Sequence, residues 1–323
     1  MITYFYRNRK VGFSIAKVSN NITSLIKDKE IFEVPSHRSK PISILRNLIY
    51  IRKHRNKDGI NHIVGDIHYG TLALIGCKSI LTIHDTSAFD NTRGRLKKII
   101  IKYLWFIWPL KIATRVVCIS KETKKSIMRF TNREDIEIIH NAISQDFKYT
   151  NRRFNTNAPN ILLVGTSWNK NILRICQALT NIKCKVTIIG SLPLHIITYL
   201  QNNRINYSNK LNLTDEEIFK EYVNCDLLCF CSLYEGFGMP IIEANAVGRP
   251  VVTSNIEPLI EIANNSAIFV NPYDIDQIEH GISQIICDEP LRKKLINNGL
   301  QNIKRFNALN IINKYKSIYN QIK

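Results

Sequence analysis

Residues 232–244 read SLYEGFGMPIIEA, and this stretch decides how the chain is understood. Just upstream, residues 226–232 (DLLCFCS) are apolar, short and rich in strand formers. Pro240 then stands where a first helical residue would, IIEANAV follows, and Gly248 supplies the stop. The order is strand, glycine-containing turn, helix. Such a unit aims orphan backbone N–H groups and the positive end of the helix dipole into the loop. Gly236 and Gly238 let a ligand approach the main chain, and Glu235 and Glu243 can accept hydrogen bonds from hydroxyl groups. An anionic group beside a polyhydroxylated one suits that loop, and a nucleotide-sugar presents both.

The rest of the chain alternates in the same way. ILLVG (161–165), KVTIIG (185–190), VVTS (251–254) and AIFVN (267–271) read as strands, with helices over ILRICQAL and over DEEIFKEYV behind a Thr214/Glu217 capping box. In the first half, strands are expected at 2–7, 62–67, 79–84, 115–120 and 136–141, with a helix over SIAKVSNNITSLIKD and another, KETKKSIMRF, capped by Ser120. Strands alternating with helices predict parallel sheets covered on both faces, an α/β fold. Residues 144–159 have no apolar period and many Asn and Thr, which marks a linker between two domains, 1–150 and 158–305.

Composition narrows the function classes. With 45% hydrophobic and 22% charged residues in 323, the chain is globular and long enough for two cores. MITYFYRNRK lacks the apolar core of a secretory signal, and the run at 99–110 is too short to span a bilayer and contains Lys102, so a cytoplasmic protein is expected. The eight cysteines form no CxxC pair; several sit in strand-like runs and read as reduced core residues, and no zinc site is expected. The net charge of +19 is uneven: residues 1–155 hold 29 Lys and Arg against 12 Asp and Glu, the remainder 16 against 14. That asymmetry points to an anionic partner for the first half, either a membrane surface, a pyrophosphate-linked lipid or nucleic acid. No recognised nucleic-acid module is present, so nucleic acid is not expected.

Further candidates lie at other strand ends. TSWNKN follows ILLVG and puts Lys170 and Asn171 before a helix, a placement that suits a phosphate. TIHDTS puts His84 and Asp85 at the carboxyl end of a strand, the edge where open α/β sheets bind ligands. His68 and Tyr69 in GDIHY could line an acceptor cleft. Gly12 occupies the first strand-to-helix turn. RGRLKKIIIKYLWFIWPLK (93–111) is basic and aromatic; it suits a membrane interface or a helix whose aromatic face joins the core.

E-x7-E with GFG after the first glutamate resembles the signature of the retaining glycosyltransferases of family 4, which share the GT-B fold of two Rossmann-like domains with parallel sheets facing a central cleft. The resemblance implies a nucleotide-diphosphate sugar as donor, bound by the second domain, and a glycan or lipid-pyrophosphate-linked acceptor, bound by the first. It implies that Glu235 binds the sugar hydroxyls and Glu243 the ribose, and that Lys170 contacts the diphosphate. Thr166, Asn171, Gly236, Phe237, Gly238, Met239 and, in the first domain, Gly12 would complete the donor site, with His84 on the transferred sugar. It also implies a terminal helix, 306–323, packed back on the first domain, and no metal or other cofactor. Where the family commonly has an arginine ahead of the lysine, this chain has Thr166, so a two-cation clamp is incomplete. An epimerase or phosphorylase of the same fold, and a non-catalytic polyanion-binding protein, are the competing readings.

Overall fold

A computed structural model describes residues 1–8, 21–37 and 40–322. The chain forms two α/β units: residues 1–144 with 307–323, and residues 145–306. Each is built on a six-stranded sheet whose strands all run parallel.

Unit 1 contains β1 (Ile2–Tyr6), β2 (Lys29–Glu33), β3 (Ile60–Val64), β4 (Ser79–Ile83), β5 (Arg115–Cys118) and β6 (Ile136–Ile138) in the order β2-β1-β3-β4-β5-β6. Its inner strands are apolar on both faces because both faces are covered. Phe5, Ile63, Leu81, Ile83, Val116 and Cys118 face one core, shared with Ile51, Trp105, Phe106 and Leu110. Tyr4, Tyr6, Ile60, Ile80 and Val117 face the other, closed by the helix Ala308–Gln321 through Ile311, Ile312, Tyr315, Ile318 and Tyr319. Each aliphatic side chain so buried contributes about 1.5–3 kcal/mol.

Unit 2 contains β7 (Asn160–Val164), β8 (Lys185–Ile189), β9 (Asn206–Lys210), β10 (Leu227–Phe230), β11 (Val251–Ser254) and β12 (Ala267–Val270), ordered β12-β11-β10-β7-β8-β9. The irregular stretch ahead of β7 is docked on this unit. Phe147 packs edge-on against Phe219 and Tyr222, and Arg152 pairs with the buried Asp226 at 2.9 Å.

Not anticipated from the sequence are β2, β9 and the helices Pro41–His54, Leu194–Asn202, Ile275–Cys287 and Glu289–Asn302. Residues 93–111 divide between the two readings open to them. A helix over Arg95–Ile101 continues as a π-helical stretch, Lys102–Ile107, and a last turn, Trp108–Ile112. Trp105 and Phe106 enter the core, whereas Leu96, Ile99, Ile100 and Trp108 are exposed. The eight cysteines are free thiols; Cys229 on β10 and Cys231 just past its end have sulfurs 3.7 Å apart. Among the described residues, no helix is long and apolar enough to cross a membrane.

Candidate active site

The strand order of unit 2 reverses between β7 and β10, and an open parallel sheet binds ligands outside the carboxyl ends of the strands at such a switch point. The loops leaving these two strands carry Lys170 and Glu235. Lys170 closes a single 3-10 turn, Trp168–Lys170, and its Nζ lies 2.5 Å from Oε1 of Glu235 and 4.6 Å from the centre of the Phe230 ring. The two side chains are 17% and 12% exposed, so the pair is shielded while still reachable from solvent. The lysine stem passes over Gly165, where a Cβ would stand 3.0 Å from Lys170 Cε, and the φ of +84° there suits only glycine.

Neighbouring residues fix this pair. Asn169 donates from Nδ2 to the Tyr234 carbonyl at 2.8 Å and reaches Glu235 Oε1 at 3.5 Å, and its own carbonyl accepts from Leu233 N–H at 2.7 Å. Asn171 adopts a left-handed conformation (φ 58°), which Asn tolerates better than most residues. Its Nδ2 donates to the carbonyls of Cys231 at 3.1 Å and Pro272 at 2.6 Å, fastening the loops after β7, β10 and β12 together. Thr166 packs on Gly190, where a Cβ would lie 2.8 Å from Thr166 Oγ1.

Beyond Glu235, half-buried Gly236 leads to Phe237, whose ring is buried edge-on against Phe306 at 5.8 Å. Gly238 (φ +111°) then turns the chain into the helix Met239–Val247, with Pro240 in its first turn. Glu243, on that helix, accepts a hydrogen bond from the Tyr222 hydroxyl at 2.7 Å. Tyr222 is fully buried; burial first, then the adjacent carboxylate, push its phenol well above the usual range and keep it a donor.

In unit 1, His84 follows β4 and is buried, with Nε2 lacking a hydrogen-bond partner. Burial lowers its pKa to about 4, with His68 adding to the effect and Asp85 opposing it. Beside it lies a cavity of about 20 Å³, room for one water, lined by Thr23, His62, Thr82, Asn141 and Tyr315 among others. Its wall carries a chain of hydrogen bonds: Tyr4 Oη to Tyr319 Oη (2.7 Å), Tyr319 Oη to His62 Nδ1 (2.9 Å), His62 Nε2 to Thr82 Oγ1 (2.8 Å). His68 and Tyr69 are also buried, the first bonded to the Trp105 carbonyl at 2.9 Å and the second to Asn47 at 2.8 Å. Gly12 lies outside the described residues.

Sequence reasoning missed Asn169, Gly165, Tyr222 and Ser232. The last is a fully buried serine just past β10 whose hydroxyl has no partner. A glycine ending a β7 strand was a usable signal for Gly165; nothing local marks the others. Among the described residues, no group of three or more His, Cys, Asp or Glu is placed to hold a metal ion.

Two family models match in succession: Glycosyltransferase Family 4 over residues 23–147 and Glycosyl transferases group 1 over residues 145–302. The chain belongs to the glycosyltransferases of the family 4 type. Among curated relatives of this glycosyltransferase is the O-antigen chain mannosyltransferase RfbU of Salmonella typhimurium, 25% identical over 289 residues, spanning 85% of this chain and 77% of the relative. Similar solved structures include sucrose-phosphate synthase from Thermosynechococcus elongatus, at 15% identity and a TM-score of 0.81 over 100% of this chain and 99% of that one. Another is Anabaena Alr3699/HepE in complex with UDP-glucose, at 14% identity and a TM-score of 0.81 over 99% and 100%. At such identities the likeness concerns the fold, which is GT-B.

Proposed function

We propose that this glycosyltransferase moves a hexose-type sugar from a nucleotide-diphosphate sugar to a glycan or lipid-pyrophosphate-linked acceptor, with retention at the anomeric carbon. The setting we infer is bacterial surface-polysaccharide assembly, O-antigen or capsule, carried out in the cytoplasm at the inner face of an anionic membrane. The observation that carries the reading is the Lys170–Glu235 pair at the switch point of unit 2. The printed names of the O-antigen mannosyltransferase relative and of the UDP-glucose complex support it.

Cleaving the anomeric bond releases a diphosphate whose growing charge needs a preorganised counter-charge. Lys170 and the N-terminal end of the helix Met239–Val247 supply one, so we infer that transfer needs no metal. Glu235, held in place by Lys170 and Asn169, takes the sugar hydroxyls; Glu243 takes the ribose; Thr166, Asn171, Gly236, Phe237, Gly238 and Met239 shape the donor loops. In unit 1 we assign sugar contact to His84, whose imidazole is neutral at pH 7 and can donate or accept a hydrogen bond.

Thermal-shift titration with UDP-, GDP- and dTDP-sugars tests the donor. One of them at a hundred times its Kd should stabilise the protein by about 2.7 kcal/mol, and a chelator should leave subsequent sugar transfer unchanged. No response to any nucleotide sugar would remove the reading.

A further inference from the structure

Apolar side chains on the outside of unit 1 are gathered on two helical elements. Of the 19 exposed large hydrophobic residues among the described part of the chain, eight belong to Pro41–His54 and to the run from Arg95 to Ile112. On the first, Ile42 (76% exposed), Leu45 and Ile49 recur at helical spacing and form an outward stripe. On the second, Leu96 (77% exposed), Ile99, Ile100 and Tyr103 do the same, and the Tyr103 ring leans on Trp108 at 5.7 Å.

Both elements cover the same face of the unit 1 sheet. Ile44, Leu48 and Ile51 of the first helix and Ile101, Trp105 and Phe106 of the second pack into one core. Tyr69 joins them, accepting from Asn47 at 2.8 Å while its ring meets Trp105 at 4.8 Å between centres. Their outward stripes therefore lie on the same side of the unit, away from the sheet.

The surroundings are uniformly cationic. Residues 40–57 hold six Lys and Arg, residues 93–121 hold eight, and neither stretch has an Asp or Glu. Unit 1 as a whole holds 29 Lys and Arg against 11 Asp and Glu, leaving +18. Two such faces repel each other, so a second copy is a poor occupant. A soluble polyanion would match the charge and leave the aliphatic stripes in water. Apolar stripes edged by lysine and arginine, with a tyrosine and a tryptophan beside them, match the boundary between anionic headgroups and acyl chains.

We propose that the helix Pro41–His54 and the run Arg95–Ile112 together form a lipid-docking face, which inserts Ile42, Leu45, Ile49, Leu96 and Ile100 into an anionic bilayer surface. The proposal deepens the reading of an acceptor at a membrane and rests on it for its purpose, but its test requires no sugar transfer.

Flotation of the full chain with vesicles of equal parts phosphatidylglycerol and phosphatidylcholine, at low salt, provides that test. The protein should float with these vesicles and stay behind with pure phosphatidylcholine. Replacing Ile42, Ile49, Leu96 and Ile100 together by Ser should lower partitioning by about tenfold or more, at a melting temperature close to that of the parent because all four are exposed. Charge reversal with Lys97→Glu and Lys98→Glu should weaken binding at low salt and make the remaining binding less sensitive to added salt. Failure of the parent to float, equal flotation of the serine variant, or a parent dimer that the serine variant abolishes would each overturn the proposal. A protein that floats as described but transfers no sugar would overturn the enzymatic reading and leave the lipid face standing.

Discussion

Glu235 Oε1 and Lys170 Nζ are 2.5 Å apart although 65 residues of chain separate them. The contact exists because parallel strands β7 and β10 are neighbours and both loops leave the same edge of the sheet. Lys170→Ala should lower turnover by about a hundredfold or more, the scale of one lost charge-stabilising donor. Glu235→Gln, which keeps the shape, should abolish transfer with little change in melting temperature. Near wild-type transfer by either folded variant would remove that residue from the mechanism.

Gly165 gives an indirect test of the same lysine. Gly165→Ala places a methyl group 3.0 Å from Lys170 Cε at a φ of +84°. Strain at that φ costs about 1–3 kcal/mol, and the displaced lysine should reduce turnover more than donor binding. A variant with parental kinetics would show that the stem of Lys170 is not held by this turn.

Stability should fall on mild acidification. Burial holds His84 at about 4 and His62 at about 3, both below the ordinary 6.5. The unfolded chain therefore takes up protons first, so the stabilising contribution is complete above pH 6.5 and is lost as pH falls toward 4. Each tenfold gap in proton affinity between the folded and unfolded chain is worth about 1.4 kcal/mol, so the two imidazoles together account for several. Thermal melts between pH 7 and 4.5 should show a falling midpoint, with a shallower slope in His62→Gln. A flat profile over that range would contradict the buried, neutral state of both imidazoles.

Tyr222 offers a route to Glu243 that leaves the carboxylate in place. Tyr222→Phe removes a buried donor at 2.7 Å while keeping the ring that packs on Phe147. The expected cost is about 1–3 kcal/mol of stability, together with weaker donor binding at unchanged turnover in saturating donor. Unchanged affinity in calorimetric titration would detach Glu243 from the donor.

Much of the fold was legible because buried parallel strands are near-continuous apolar runs: VVC, ILLV and LLCF declare themselves. The strands that escaped notice are edges. KEIFE and NYSNK border their sheets, and edge strands carry charge and polarity that hide the pattern. The helix Pro41–His54 escaped for the opposite reason, since Ile42, Leu45 and Ile49 on its outer face blur the amphipathic period. Within the site, the turn around Glu235 could be read from neighbours in sequence. Pairing of Lys170 with Glu235 could not, since it depends on strand order, and strand order is set by how the whole sheet packs.

The helix Ala308–Gln321 has a consequence for synthesis. Tyr319 lies against Tyr4 at 2.7 Å, and Ile311 and Ile318 seal the same core as β1. Residues made first thus cannot finish folding until residues near 320 have cleared the ribosome, whereas residues 145–306 are already complete when that helix emerges. The unit translated second closes first, and throughout that interval the nascent β1, β3 and β4 carry an uncovered apolar face that invites chaperone capture.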